Sequence, residues 1–381
     1  MKKKSILILS CYIISCCTLS MAWWATGHEL TAQIAKNNLT PTTLKIADKY
    51  LKTLIAYPGT LQSSKKTTTL ITASTWCDVI KNEKWKNEEN AKVNGMFHYI
   101  NPVTLPDKKV SAANTDKAIK KLLKSNTDLS KYNCYTALRS SIKTMLNNKS
   151  SLAEKTVAFR FILHLVGDMH MPLHNAAPII YGINTLGGNK IVFRKALTVP
   201  VLPPPKKEVS KISNIHSLWD SGAGFCEQLP YSFYPKFQTK VQNKFIAKES
   251  KNIIKSAKKG QTLSKRIQDA KIINWTIESN MLAAKFISTE KIEYIKSSKK
   301  PKKQVYAKFK NLKQYLISVQ KVSKSQIYVG GMRLANLLNA IFDPQHADKK
   351  YVNYVKKISE DKNIPTLKKL FPKPIIFKIK E

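Results

Sequence analysis

From residue 23 to about residue 338, apolar positions recur at helical spacing between polar loops, a pattern that predicts a mainly α fold. The strongest segment, AEKTVAFRFILHLVG at 153–167, is apolar on nearly every face and predicts a buried helix. Helical spacing returns at 275–287 and at 326–341. VPVLPPP at 199–205 must interrupt it, because proline lacks an N–H and its ring blocks the preceding turn. The basic run at 299–303 predicts a solvated loop. Beyond Phe342 lysines crowd the chain and the helical signal fades until a short apolar patch at 371–377. The pattern therefore predicts a single helical domain at 23–342 followed by a lysine-rich tail at 343–381, without internal repeats.

The first 22 residues read differently. Three lysines precede an apolar run from 6 to 19, and Ser20 and Ala22 supply the small residues of a cleavage site. The run is too short, and too broken by cysteine and serine, for a membrane anchor. It predicts a signal peptide at 1–22, cut between Ala22 and Trp23, and a secreted or periplasmic protein. Lipoprotein processing at Cys16, within Ile13-Ile14-Ser15-Cys16, is the alternative. No later stretch approaches the roughly 20 apolar residues of a membrane helix.

Charge narrows the partners. The 65 lysines and arginines against 24 acids give a formal +41, or +38 once the signal's three lysines are gone. Such an excess attracts polyanions, nucleic acid or an anionic membrane among them, or else serves solubility. Cys11, Cys16 and Cys17 leave with the signal, and the remaining Cys77, Cys134 and Cys226 allow at most one internal disulfide. Without a C-x-x-C pair they also argue against a cysteine-ligated zinc.

Candidate chemistry lies in the histidines. His164 and Asp168 stand four residues apart, on one face of the most apolar helix. An ionised carboxylate buried there costs several kcal/mol or more unless a cation or a full set of hydrogen bonds compensates. A metal solves that problem; a buried His-Asp pair that holds the fold is the competing reading. Pro172 ends the helix and returns His174 to the same region. His216 and Asp220 repeat the four-residue spacing, whereas Asp78 and His98 are weak signals alone. Ligands that are all nitrogen and oxygen suit zinc and leave positions open for water, the arrangement of a catalytic site.

In chain order the motifs are WWATGH ending at His28, STWCD ending at Asp78, FHYIN around His98, FRFILHLVGDMHMPLH ending at His174, GGNKI from Gly187, NIHSLWD ending at Asp220, WTIESN from Trp275 and GGMRLANLLN ending at Asn339. In this order they resemble the S1/P1 family of zinc-dependent single-strand nucleases over almost the whole chain after residue 22. The resemblance implies three Zn2+ ions per chain. The first takes Asp78, His98, His164 and Asp168; the second takes His174, His216 and Asp220. The third takes the amine and carbonyl of Trp23 with His28, and shares Asp168 with the first.

Asp78, Lys81 and Asp168 are then the catalytic residues, with Lys81 neutralising transition-state charge where the family often has arginine. Substrate contacts fall to Lys81, to Tyr99 stacking a base, to Asn101 at a base edge and to Asn189 in the GGN turn. His170 and His346 are left as non-ligands, His170 lining the mouth of the site. The implied reaction is endonucleolytic hydrolysis of single-stranded DNA and RNA by a zinc-bridged hydroxide, giving 5′-phosphorylated products, with 3′-nucleotidase activity alongside. A monomer without a stable protein partner is expected. Trp24 departs from the family's frequent glycine, and Cys134 lacks a near partner, so no disulfide is expected. The alternative is a zinc phospholipase C acting on phospholipid head groups; its last metal carboxylate is typically glutamate, so Asp220 and GGNKI favour the nuclease. A non-catalytic basic protein that coats nucleic acid would not need nine zinc-compatible positions in this order.

Overall fold

The computed structural model describes residues 23–56, 67–81, 87–104, 111–200, 209–226, 236–257, 262–287, 291–296 and 304–379. The signal segment 1–22, most of the proline loop and the basic run at 299–303 lie outside the described residues. The fold is mainly helical, as the hydrophobic pattern predicts. The principal helices are α1 (Ala25–Lys36), α2 (Cys134–Leu146), α3 (Leu152–His170), α4 (Ile215–Asp220), α5 (Lys236–Ala257), α6 (Ile272–Ile287), α7 (Leu312–Phe342) and α8 (Lys349–Glu360).

The apolar segment forms α3, the centre of the molecule. Ser151 starts it: its hydroxyl accepts from the Glu154 N–H while the Glu154 carboxylate accepts from the Ser151 N–H, so two end donors are satisfied reciprocally. From Thr156 to His170 every residue is buried, because α1, α2, α6 and α7 pack around the helix. One apolar cluster lies where α2 and α3 meet the C-terminal segment; a second gathers Trp23, Trp219, α5 and the first half of α7.

Among the described residues nine strands, most of them short, tie the loops together, and the helical pattern did not announce them. They are β1 (Ile55–Ala56), β2 (Val103–Thr104), β3 (Ala177–Ile180), β4 (Ile183–Asn184), β5 (Ile191–Pro200), β6 (Val209–Asn214), β7 (Ile292–Lys296), β8 (Val305–Phe309) and β9 (Lys378–Ile379). They form sheets ordered β1-β9, β2-β3-β4 and β6-β5-β8-β7. The parallel pairing of Val103 with Ala177 joins the loop after His98 to the loop after His174. Antiparallel β5 and β6 flank the proline segment, with Pro200 opposite Val209, and β6 runs directly into α4.

The segment beyond residue 342 is no appendage. On α8 Tyr351, Val355 and Ile358 are buried, and Leu367, Leu370, Phe371 and Phe377 join the main core. The expectation of a tail is therefore corrected: apolar residues at i, i+4 and i+7 lie among lysines that occupy only the outer face, so the stripe is diluted in the sequence. Cys77, Cys134 and Cys226 are all free and buried.

Candidate metal centre

Six local elements deliver the candidate side chains to one place. His28 sits in the first turn of α1, and Asp78 and Lys81 on the short helix Trp76–Lys81. His98 follows the helix Glu88–Met96; His164 and Asp168 stand one turn apart on α3; His174 lies in the 3-10 turn Pro172–Asn175; His216 and Asp220 share a face of α4. All eight metal candidates are buried, none more than 3% exposed.

Backbone carbonyls aim the rings. Nδ1–H of His164 donates to the Ser74 carbonyl (2.7 Å), that of His174 to the His98 carbonyl (2.6 Å) and that of His216 to the Gly187 carbonyl (2.6 Å). This fixes the tautomer and leaves each Nε2 facing the carboxylates. Gly187 lies at φ +64°, and a Cβ there would come 2.7 Å from the Leu173 carbonyl, so the turn that presents this acceptor needs glycine. The His28 ring stacks on His164, centroids 3.9 Å apart, across Gly167, where a Cβ would lie 2.6 Å from His28 Nδ1.

Asp168 is central. Its Oδ1 lies 3.5 Å from His28 Nε2 and 3.6 Å from His174 Nδ1, and its Oδ2 lies 3.2 Å from both His98 Nδ1 and His164 Nε2. Asp78 Oδ1 is 3.6 Å from His98 Nδ1 and 3.8 Å from His164 Nε2. Asp220 stands 3.3 Å from His216 Nε2 and 3.7 Å from His174 Nε2. Neither oxygen of Asp168 or of Asp220 receives a well-formed hydrogen bond.

Most of these distances suit a ligand cage, although His164 Nε2 and His98 Nδ1 also stand within hydrogen-bonding distance (3.0 Å). Two ligand atoms about 2.1 Å from one tetrahedral ion stand about 3.4 Å apart, which is the spacing seen here. The charge states agree. Burial pushes Asp168 up to about 6 and Asp220 well above the usual carboxylate range. Burial also drives His216 down to about 4 and holds His28, His98 and His174 well below the imidazole range; His164 is raised, because Asp168 and Asp78 outweigh its burial. Except for His164, the imidazoles are thus held neutral, the form in which they can bind a metal ion. Among the described residues three groups could hold a metal ion: His28, His164 and Asp168; Asp78, His98 and His164; His174, His216 and Asp220.

The other candidates fall around this cage. Trp23 is fully buried and folds back over Gly27, and the Trp24 N–H donates to the Asp220 carbonyl (3.0 Å), which brings the start of α1 to α4. Lys81 Nζ is 3.0 Å from Asp78 Oδ1. Tyr99 is half-buried beside His98. Asn101, at φ +46°, turns its amide nitrogen to the carbonyls of Leu173, His174 and Ala176 (3.1, 3.2 and 3.1 Å) and so clamps the two ligand loops together. Asn189 donates to the Leu186 carbonyl (2.7 Å) and closes the GGN turn.

His170 does not line the mouth. Two residues past Asp168 it is turned about 200° round α3, away from the cage. It is buried against Arg333, with Nε2 2.9 Å from an Arg333 nitrogen that also bonds Glu278. His346 is exposed and bonds Asp343.

The sequence reading missed the supports. Asn175 Nδ2 donates to the carbonyls of Asp168, Met169 and Met171 (3.2, 3.1 and 2.9 Å), and Asn280 Nδ2 donates to the Asn175 carbonyl (2.7 Å). Ser279 and Gln326 serve the carbonyls of Met169 and His170. Glu29, beside His28, is a buried carboxylic group held by Gln242 and raised by burial. The only signal for Asn175 and Asn280 was polar residues beside ligand motifs.

The family model described as S1/P1 Nuclease matches residues 23–343. No curated protein matches the chain.

Proposed function

The chain belongs to the S1/P1 nuclease family, and on that premise we propose that it hydrolyses phosphodiester bonds of single-stranded DNA and RNA at a centre of three zinc ions. The observation that carries the metal reading is the pair of buried carboxylates, Asp168 and Asp220, whose oxygens lack hydrogen-bond donors while imidazole nitrogens surround them at 3.2–3.7 Å. Leaving such charges uncompensated would cost several kcal/mol each.

Asp78, His98, His164 and Asp168 would hold one ion and His174, His216 and Asp220 a second. His28 with Asp168 and the Trp23 amine and carbonyl would hold the third. When bound, the ions supply Lewis acidity that activates water near neutral pH and stabilises the leaving oxygen. The protein's own groups orient the rest. Asp78 holds the Lys81 ammonium at the edge of the cage, where it offsets charge that builds on phosphate. Tyr99 offers a half-buried ring to a base, a contact that paired strands cannot make without unstacking. Attack on the phosphorus and departure of the 3′ oxygen leave 5′-phosphorylated products, and the same cage admits a 3′-nucleotide.

The third site depends on a free amine at Trp23. The family match begins at residue 23, where the signal pattern places the cut, which supports export and maturation as one event. No helix among the described residues is long and apolar enough to cross a membrane.

The test uses protein that starts at Trp23, with single-stranded and duplex DNA and RNA, chelator and zinc add-back. Single-strand-selective cleavage restored by zinc is expected. Turnover of phosphatidylcholine with nucleic acids left intact would overturn the substrate in favour of the phospholipase. One residue added before Trp23 should lower zinc from three ions to two; unchanged stoichiometry would remove the amine from the third site.

A further inference from the structure

A second concavity, away from the metal cage, has the chemistry of a polyanion site. A cleft of about 550 Å³ lies between α8 and the loop at 268–271 that leads into α6. Lys265 and Lys271 line one wall; Lys350, Asn353, Tyr354 and Lys357 line the other. The second set stands at i, i+3, i+4 and i+7, one stripe of α8, while the neighbouring face of that helix buries Tyr351, Val355 and Ile358 in the core. The stripe is thereby held in place by packing.

The four ammonium groups are uncompensated. Among the described residues, Lys356 and Lys368 near this region pair with Glu360 and Glu154, but none of the cleft lysines has a carboxylate within reach. Asp269, the cleft's one acid, is occupied: its oxygens accept from the Lys271 N–H (3.0 Å) and from Asn274 Nδ2 (2.7 Å). Lys350 and Lys357 stand about 10 Å apart along α8, far enough to meet different phosphates. Two lysine-bearing walls around a recess suit a narrow chain that can enter it, and not a flat bilayer. The half-buried Tyr354 ring adds a surface on which a base can stack. One wall belongs to α8, beyond the residues that the family model matches.

We propose that this cleft binds the phosphate backbone of single-stranded nucleic acid away from the bond being cut, so that long substrates are held at two places. The proposal rests on the nuclease reading for its purpose, and its test reads binding alone.

The experiment measures binding of a fluorescent phosphorothioate oligothymidylate, chosen to resist hydrolysis, to the zinc-loaded protein over a series of salt concentrations. The cleft variant carries Lys265→Gln, Lys271→Gln, Lys350→Gln and Lys357→Gln. A control with equal charge loss carries Lys45→Gln, Lys49→Gln, Lys244→Gln and Lys248→Gln at exposed sites on other helices. The cleft variant should bind at least tenfold more weakly, and its slope of log affinity against log salt should fall by about 2 to 3, at about 0.7 per lost phosphate contact. The control should stay near wild type. Equal losses in the two variants would reduce the effect to net charge and overturn the proposal. A cleft variant that keeps the oligonucleotide and loses anionic phospholipid vesicles would overturn it too. A chain that cut no nucleic acid would fail the nuclease reading and still answer this binding test.

Discussion

Asp168 joins the three ligand groups because its two oxygens face opposite ways, one toward His28 and His174, the other toward His98 and His164. Asp168→Asn keeps the shape and removes the charge. Activity should fall on the order of 10³-fold or more, and elemental analysis should find at least one zinc fewer per chain; near-normal turnover with full zinc would exclude a bridging role. The same carboxylate sets a pH dependence. With its pKa raised to about 6 in the metal-free protein, Asp168 holds a proton below that pH, and an incoming ion must displace it. Zinc affinity measured by competition should fall as the pH is lowered, about tenfold per pH unit for each proton displaced, with the raised His164 and Asp220 adding protons to those of Asp168. His216, at about 4, does not compete until lower pH. At this scale the pairs His164–Asp168 and His216–Asp220 were legible as neighbours, because four-residue spacings survive in the sequence. Asn101 was not, since its carbonyl partners at 173, 174 and 176 come to it only through the fold.

Among the elements, α3 brings two ligands to the cage and ends two residues later, so its last turn has carbonyls to satisfy next to Asp168. Asn175 serves two of them and the Met171 carbonyl that follows, with Asn280 of α6 behind it. Asn175→Ala should cost about 1–3 kcal/mol, for the buried hydrogen bonds it removes, seen as a lower Tm. It should also weaken zinc binding about 10- to 100-fold, because the turn that positions Asp168 loosens. A lower Tm with unchanged zinc affinity would confine Asn175 to stability. The helix itself was readable from its all-round apolar composition. The strands were not: β2 has two residues, and its pairing with β3 joins positions more than 70 apart, which no local periodicity encodes.

For the whole molecule, the matched family region ends at residue 343, yet the remaining chain completes the core that supports the cage. Phe371 packs edge-on against Phe97, the neighbour of His98, with ring centroids 5.4 Å apart. Asn90, in the helix that leads to His98, exchanges hydrogen bonds with the backbone of Lys373, and β9 pairs with β1. Reading this segment from composition alone failed because charge outnumbers the buried residues, although a core needs only a few large side chains in the right places. Burial of Tyr351, Val355, Ile358, Leu367, Leu370, Phe371 and Phe377 contributes roughly 1.5–3 kcal/mol each before the entropy of ordering the segment, a gross gain large beside the net stability of an ordinary domain, about 5–15 kcal/mol. A chain stopped after Asp343 should therefore be insoluble or melt far below the full-length protein, and any soluble fraction should bind less zinc. Thermal unfolding and zinc content of the two chains decide this. A truncated protein with the full-length Tm and full zinc would mean that the cage is complete without its C-terminal support, and that His98 is held by α3 and its neighbours alone.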